Sequence, residues 1–348
     1  MRFADTDPMG CPPTEQACGL LVNDTESQRL LAELGWSPFF ADQIEPDERE
    51  LVPRRISEVH RARLVAMASE DVVLALPPKA STGDYAVGDW VLAEPGTDLV
   101  RRRLERKTVL QRNSEGSRAS QLAAANVDTL FIVTSCNDDF NPARLERYLV
   151  FANEAGTAPV VVLTKADTVT DPERFAAEAG SLQRDIAVVA LDAKLGEVRE
   201  ALAPWLGEGQ TVALVGSSGV GKSTLVNRLV GAAEQQTGGT REGDDKGRHT
   251  TTSRSLHRMA GGGWVIDTPG IRTLQVHDAT FGLEKLFAEI TELAPLCKFR
   301  DCTHSHEPGC AVQAAIAAGQ LDPQRLERWR KLQQEGAASA ARTKGRKG

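Results

Sequence analysis

The chain lacks the long apolar segments of membrane proteins. None of the hydrophobic runs in its 348 residues reaches the roughly 20 residues that a membrane-spanning helix requires. The first thirty residues also lack the basic start and apolar middle of a secretory signal peptide. We therefore expect a cytoplasmic protein with no membrane partner.

Cysteine is also scarce, with six residues in the whole chain. In a cytoplasmic protein, a few cysteines suggest a metal site or structural positions before disulfide bonds. Cys297, Cys302 and Cys310 crowd into one short segment, whereas the other three are scattered. The sequence has no internal repeat, and its length predicts two or three domains.

Basic residues are fewer than acidic ones, which gives a formal net charge of −7. This balance speaks weakly against a nucleic-acid partner, but the charge is unevenly distributed. Residues 1–52 are strongly acidic, whereas residues 342–348 carry four basic side chains and no acidic one. A basic tail behind an acidic leader is compatible with a protein that faces RNA.

The first third of the chain falls into two segments. Residues 1–52 are predicted to form a partly disordered acidic leader, in which Trp36–Phe40 is a possible docking element. Residues 53–115 alternate short apolar runs with turns, which predicts a small β-barrel.

The pattern changes after the barrel. Within residues 116–273, apolar strands such as Thr129–Val133 and Ala158–Leu163 alternate with helices, which predicts a mostly parallel α/β sheet. Residues 274–336 are predicted to be helical around the cysteine cluster, and residues 337–348 form a basic tail. The predicted fold class is therefore a multidomain α/β protein.

A glycine-rich segment carries the strongest functional signal. It follows an apolar strand and precedes a helix, which is the setting of a phosphate-binding loop. Backbone N–H groups would approach the phosphates, catalytic Lys222 would reach the β- and γ-phosphates, and Ser223 would bind Mg²⁺. The predicted nucleotide contacts here are Gly216, Ser217, Ser218, Gly219, Val220, Gly221, Lys222, Ser223 and Thr224.

A second segment has the form of a guanine-specificity box. Thr164-Lys165-Ala166-Asp167 follows a strand, and Asp167 could accept hydrogen bonds from guanine N1–H and N2–H₂, which adenine cannot supply. The stem of Lys165 would lie over the base. Asp192 and Ala193 would belong to a supporting loop behind the base. The alternative is an ordinary polar turn between a strand and a helix.

The order of these two boxes is unusual. In an ordinary GTPase the phosphate loop comes first, but here the base-reading box precedes it by about fifty residues. The nucleotide domain is therefore predicted to be circularly permuted. Permutation places the end of the core beside the switch regions, where a neighbouring domain can sense the nucleotide.

Two further segments are predicted to respond to the γ-phosphate. Asp267 would hold Mg²⁺ through water, and the N–H of Gly270 would meet the γ-phosphate. Ile271 stands where many GTPases have a glutamine that orients water, so unassisted hydrolysis should be slow. In the first switch, Thr250 or Thr251 would close on Mg²⁺, and His249 would align water unless it only packs or faces solvent.

The cysteine cluster has the composition of a structural zinc site. Cys297, Cys302, His304 and Cys310 provide three thiolates and one imidazole, a closed set suited to tetrahedral Zn²⁺. His306 is a competing ligand. An unmetallated, reduced cluster is the alternative.

Together these motifs resemble the family of small ribosomal subunit biogenesis GTPases called RsgA or YjeQ. The resemblance covers about residues 53–335 and includes Val87–Trp90, Ala125–Asp128 and Arg144–Tyr148 besides the boxes above. It implies an N-terminal OB-fold barrel, a circularly permuted GTPase core and a small zinc-binding domain. Thr164 departs from the more usual asparagine, and the acidic leader is not part of the family pattern.

The resemblance also implies GTP hydrolysis stimulated by the small ribosomal subunit during its late maturation. We therefore expect GTP or GDP, Mg²⁺ and one structural Zn²⁺ as cofactors, and the small subunit with its rRNA as partner of a monomeric protein. Candidate rRNA contacts are Arg101, Arg102, Arg103, Arg106 and Lys107, whose alternative is a solvated edge strand. Rival functions are action on the large subunit, an ATP-dependent kinase, or an RNA-binding module with a vestigial nucleotide site.

Overall fold

The computed structural model describes residues 25–67, 71–113, 120–194, 197–231, 254–267 and 280–345. Two helices come first, α1 (Thr25–Glu33) and α2 (Pro38–Ala41). Five strands then form the barrel: β1 (Val52–Val59), β2 (Leu64–Met67), β3 (Val72–Leu74), β4 (Trp90–Ala93) and β5 (Val100–Arg103). Antiparallel pairing joins β3 to β2, β2 to β1, β1 to β4 and β4 to β5, and a bridge between Ala75 and Leu99 brings the two ends together.

A separate hairpin connects the barrel to the nucleotide core. Its strands are β6 (Val109–Asn113) and β7 (Ser120–Ala125). The hairpin therefore spans the boundary that the sequence analysis placed between residues 115 and 116. Two backbone hydrogen bonds fix the end of β7. Ala125 N donates to Val87 O at 2.8 Å, and Asn126 N donates to Thr108 O at 2.9 Å.

The nucleotide core alternates strands and helices, as the periodicity predicts. Its strands are β8 (Thr129–Ser135), β9 (Ala158–Thr164), β10 (Ala187–Ala190), β11 (Thr211–Val215), β12 (Arg254–Arg258) and β13 (Trp264–Asp267). Its helices are α3 (Pro142–Glu154), α4 (Pro172–Gly180), α5 (Val198–Leu202) and α6 (Lys222–Val230). The order β10-β9-β8-β11-β13 is parallel throughout, and β12 closes this edge in antiparallel pairing with β13.

The core sheet continues into the barrel. Glu58 and Val59 of β1 pair with Ser255 and Arg254 of β12, so both units belong to one hydrogen-bonded sheet. Arg55 strengthens this junction, because its Nη2 donates to Thr211 Oγ1 at 2.7 Å and its Nη1 donates to Leu34 O. The side chain is buried, and burial lowers the pKa of Arg55 to about 10.

Residues 25–51, which belong to the segment predicted to be a partly disordered acidic leader, are folded. The reason is aromatic packing, which outweighs the acidic composition of this segment. Phe40 is buried, and Trp36 meets Trp90 of the barrel with ring centroids 4.8 Å apart. Trp264 also donates from Nε1 to the carbonyl of Glu33 at 2.7 Å, which fixes the end of α1 on the core.

The C-terminal segment is helical in the described residues after β13. It contains α7 (Thr280–Leu286), α8 (Ala288–Leu293), α9 (Ala311–Ala317) and α10 (Pro323–Gly345). The first two of these helices are separated at Phe287, which leaves helical geometry (φ −112°, ψ 46°) and is fully buried. Among the residues described, no helix is long and apolar enough to cross a membrane.

Candidate nucleotide and metal sites

The phosphate loop joins β11 to α6 and depends on glycine at its first position. Gly216 has φ +145°, and a Cβ there would lie 2.1 Å from the carbonyl oxygen of Val133. Only glycine permits this close approach of the loop to β8. Within the loop, Lys222 Nζ donates to Gly216 O at 2.9 Å and to Ser217 O, so the ammonium lies over the loop.

The predicted guanine box is joined directly to this loop. Thr164 is fully buried at the end of β9, and its hydroxyl lies 2.6 Å from Val220 O and 3.2 Å from Thr134 O. A hydroxyl has one hydrogen, and the shorter contact makes Val220 O its principal acceptor. The structure therefore gives Thr164 an indirect role, in which it fixes the distance between the two boxes.

The residues predicted to read the base lie on an exposed turn. Lys165 adopts left-handed geometry (φ +57°), and a short 3₁₀ turn over Ala166–Thr168 follows. This leaves Asp167 exposed, as a side chain that contacts a ligand requires. Next to it, Asp192 accepts from the N–H of Lys194 at 2.8 Å, which shapes the predicted supporting loop that also contains Ala193.

Parallel strand direction brings these segments to one edge. The box, the supporting loop, the phosphate loop and Asp267 follow β9, β10, β11 and β13, and carboxyl ends of parallel strands share an edge. Ser223 is exposed in the first turn of α6, and Asp267 ends the strand beside β11. His249, Thr250, Thr251, Gly270 and Ile271 lie outside the described residues.

We expect Thr164→Val to weaken GTP and GDP binding about fivefold, the effect of one lost hydrogen bond inside the protein. Equilibrium titration with a fluorescent guanine nucleotide measures this. Thr157→Val is the matched control, because Thr157 is also buried and donates to Ala152 O at 3.0 Å, away from both boxes. If both variants weaken binding equally, the link between the boxes has no bearing on affinity.

The cysteine cluster has the dimensions of a tetrahedral zinc site. The sulfurs of Cys297 and Cys310 are 3.9 Å apart, and each lies 3.5 Å from Nδ1 of His304. Tetrahedral zinc with ordinary bond lengths requires about 3.8 Å between sulfurs and about 3.5 Å between sulfur and nitrogen. With Cys302, the four ligand atoms lie within 4.8 Å of one another, and His306 is not in the group.

Neighbouring groups hold this cluster in shape. The carboxylate of Glu307 accepts from the N–H groups of Thr303, Ser305 and His306, and from the Thr303 hydroxyl. Burial lowers the pKa of His304, which favours the neutral imidazole that binds metals. The Cys₃His set therefore fits a structural zinc ion.

The candidate rRNA positions are largely engaged within the protein. Arg102 pairs with Glu48 at 2.6 Å, and Arg106 pairs with buried Asp89 at 2.6 and 2.7 Å. Arg101 pairs with Glu94, while the ammonium of Lys107 lies 5.1 Å from the ring centre of Phe40. Arg103 is exposed on β5. Arg102 thus ties β5 to the N-terminal segment through Gln43 and Glu48, and Arg106 is paired within the barrel.

Comparison with known proteins agrees with this geometry. A family model described as RsgA GTPase matches residues 103–277. The small ribosomal subunit biogenesis GTPase RsgA of Mesorhizobium japonicum is 66% identical over 89% of this chain and 91% of its own. The protein named RsgA 2 in Vibrio vulnificus is 47% identical over 89% of each chain.

Two crystal structures share the fold. YjeQ from Thermotoga maritima is 27% identical and superposes with a TM-score of 0.60 over 80% of this chain and 96% of its own. YloQ, described as a circularly permuted GTPase, is 23% identical and superposes with a TM-score of 0.59 over 84% and 96%. The predicted fold class, with its permuted nucleotide core, is confirmed.

Proposed function

Because this chain is a GTP hydrolase of the RsgA GTPase family, we propose that it acts in late maturation of the small ribosomal subunit. The subunit stimulates its hydrolysis of GTP to GDP and phosphate. The observation that carries the proposal is the meeting of the guanine box and the phosphate loop through Thr164 and Val220 at one edge of the sheet. The name of the relative at 66% identity supports the choice of partner.

In this proposal each segment has a defined task. Asp167 selects guanine, the N–H groups of residues 216–221 bind phosphates, and Lys222 neutralises charge that develops on the β- and γ-phosphates. Ser223 and Asp267 would hold Mg²⁺, which would neutralise negative charge on the phosphates. Gly270 would meet the γ-phosphate, with Thr250 or Thr251 completing the Mg²⁺ site.

The Cys₃His cluster has a structural task in the same proposal. It binds one zinc ion through Cys297, Cys302, His304 and Cys310, with no position left for substrate. The protein acts as a monomer in the cytoplasm, on the subunit and its rRNA. Arg101, Arg103 and Lys107 remain candidates for phosphate contact on the barrel, because all three are exposed.

Co-sedimentation with ribosomal subunits tests the proposal. We expect the protein to sediment with small subunits in a non-hydrolysable GTP analogue and to be released in GDP. Small subunits should also raise the rate of phosphate release, whereas large subunits should not. Stimulation by large subunits alone would replace this function with its rival, and hydrolysis of ATP at the same rate would exclude guanine selection.

A histidine variant tests how hydrolysis is assisted. We propose that His249 aligns the attacking water, because Ile271 has no polar group to do so. His249→Ala should lose most of the stimulated rate and keep its affinity for GTP, since aligned water matters only in the transition state. Single-turnover hydrolysis with saturating small subunits gives the rate. Unchanged stimulated turnover would remove His249 from the mechanism.

A further inference from the structure

Helix α3 reaches the phosphate loop with its first turn. Asn141 caps this helix, its Oδ1 accepting from the N–H of Arg144 at 3.0 Å. The Arg144 guanidinium donates from Nη1 to Ser217 Oγ of the phosphate loop. Its Nη2 donates to Asp139 O at 2.7 Å and lies 3.2 Å from Asp139 Oδ1. The planar guanidinium therefore bridges the loop and the start of α3.

This bridge is not part of a packed interior. The Arg144 side chain is 36% exposed and that of Asp139 is 34% exposed. Lysine could not replace the arginine, because an ammonium is a point charge and lacks the planar fork that reaches two partners at once. The loop itself is held by other contacts, among them the buried hydroxyl of Thr164 on Val220 O.

The next turns of α3 hold the C-terminal helices. Glu146 is buried, and its Oε1 lies 3.0 Å from Arg325 Nη1 and 2.9 Å from Arg328 Nε on α10. Arg147 forms a two-point pair with Glu335 on α10, with distances of 2.6 and 3.1 Å. A displacement of α10 must therefore act on α3.

The C-terminal end of α3 also contacts the C-terminal segment, through α7. The N–H of Gly282 in α7 donates to Glu154 Oε2 at 2.8 Å. A Cβ on Gly282 would lie 2.4 Å from Val150 O, so the two helices are in close backbone contact. Helix α3 is thus fixed to the C-terminal segment along its length and to the phosphate loop at one point.

We propose that Arg144 is a positioning residue for GTP hydrolysis, which couples the C-terminal helices to the phosphate loop through α3 and Ser217. The proposal deepens the proposed function and rests on it: a subunit bound to the C-terminal segment shifts α10, and Arg144 passes the shift to the loop. Arg144 and Arg147 are three residues apart and lie one above the other on the helix, so the path is one helical turn long.

The first test separates stimulated from unassisted turnover. Arg144→Ala should lower kcat with saturating small subunits about tenfold, the scale of one charged hydrogen bond. Unassisted kcat and the Kd for GTP should stay within about twofold, because the loop keeps its other contacts. Arg144→Lys should recover little of the stimulated rate.

Arg174→Ala is the matched control. Arg174 occupies the same place in α4, where Asp171 Oδ1 accepts from its N–H at 3.1 Å, but its guanidinium lies over Phe175 at 4.9 Å from the ring centre. This variant should keep full stimulation. Arg144→Ala with stimulated kcat within twofold of wild type would overturn the proposal, and so would an equal fall in unassisted kcat.

A second test needs no ribosomal subunit. Glu335→Ala should change the dissociation rate of a fluorescent GDP about threefold in the wild-type background and leave it unchanged in the Arg144→Ala background. Glu327→Ala, an exposed residue of the same helix, is the control. An equal effect in both backgrounds, or none in wild type, contradicts the coupling. If small subunits do not stimulate wild type, the proposed function fails. The comparison of Glu335→Ala in the two backgrounds still decides whether α10 is coupled to the phosphate loop.

Discussion

Asp167→Asn is expected to bind GTP about a hundredfold more weakly than wild type and to gain affinity for xanthosine nucleotides. A carboxylate accepts from both guanine N1–H and N2–H₂, whereas an amide can accept at only one of its two positions. The unpaired donor on guanine then loses a hydrogen bond inside the site, which is the larger part of the cost. Xanthine carries an oxygen at position 2, which the amide N–H₂ can meet.

The geometry of the turn makes this substitution informative. Asp167 is exposed on a turn whose preceding residue, Thr164, is buried and bound to the phosphate loop, so the change should not disturb the fold. Asp171→Asn is the matched control, because it makes the same chemical change four residues later at the cap of α4, where asparagine serves equally well. Competition between GTP, XTP and ATP gives the affinities. Wild-type affinity for GTP in Asp167→Asn would exclude the guanine box.

Cys302→Ser is expected to reduce bound zinc from about one ion per chain to almost none. Serine at neutral pH does not supply the thiolate that completes the tetrahedral set. In small peptides, structural zinc contributes roughly 10 kcal/mol or more of apparent binding free energy, which is also free energy of folding. The connection between α8 and α9, which contains all four ligands, should therefore become sensitive to protease.

The damage should remain local, because the surrounding helices share a hydrophobic core with the nucleotide domain. Phe287, Ile290, Val312 and Leu326 are buried in the same cluster as residues of the nucleotide core. The ligand spacing in the sequence does not reveal this packing against the core. We expect subunit binding to weaken and GTP affinity to stay within about twofold, since no ligand belongs to the nucleotide site.

Metal analysis and limited proteolysis measure these effects. Cys136→Ala is the control, because Cys136 is buried in the core and lies apart from the cluster. It should keep its zinc whatever it does to stability. Absence of zinc from reduced wild type prepared without chelator would end this account, as would Cys302→Ser protein that keeps both zinc and subunit binding.

Local patterns in the sequence predicted the core well. The strands predicted at Thr129–Val133 and Ala158–Leu163 begin at the predicted residues, because short buried apolar runs carry a strong local signal. The motif residues that follow these strands therefore reach the right edge of the sheet. The ligand spacing of the metal site likewise identified the four residues that the structure brings together.

Contacts between distant segments could not be predicted in this way. Arg55 and Thr211 are 156 residues apart, and Arg144 and Ser217 are 73 apart, with no periodic pattern to connect them. The sequence identifies Trp36–Phe40 as a possible docking element, but it does not show that the partners of these rings lie in the barrel. The closely spaced aromatic residues Trp36, Phe39 and Phe40 were the available signal that part of this segment packs.

The shared sheet has a consequence for how this protein can be divided. A barrel expressed as a separate fragment would leave the outer half of β1 without its neighbour β12, and an open edge strand invites pairing with other chains. It would also remove Thr211, which accepts a hydrogen bond from the buried Arg55 guanidinium, and would expose that guanidinium to solvent. Boundaries drawn from sequence segments are therefore poor places to cut, and a fragment that contains the barrel must also contain β12.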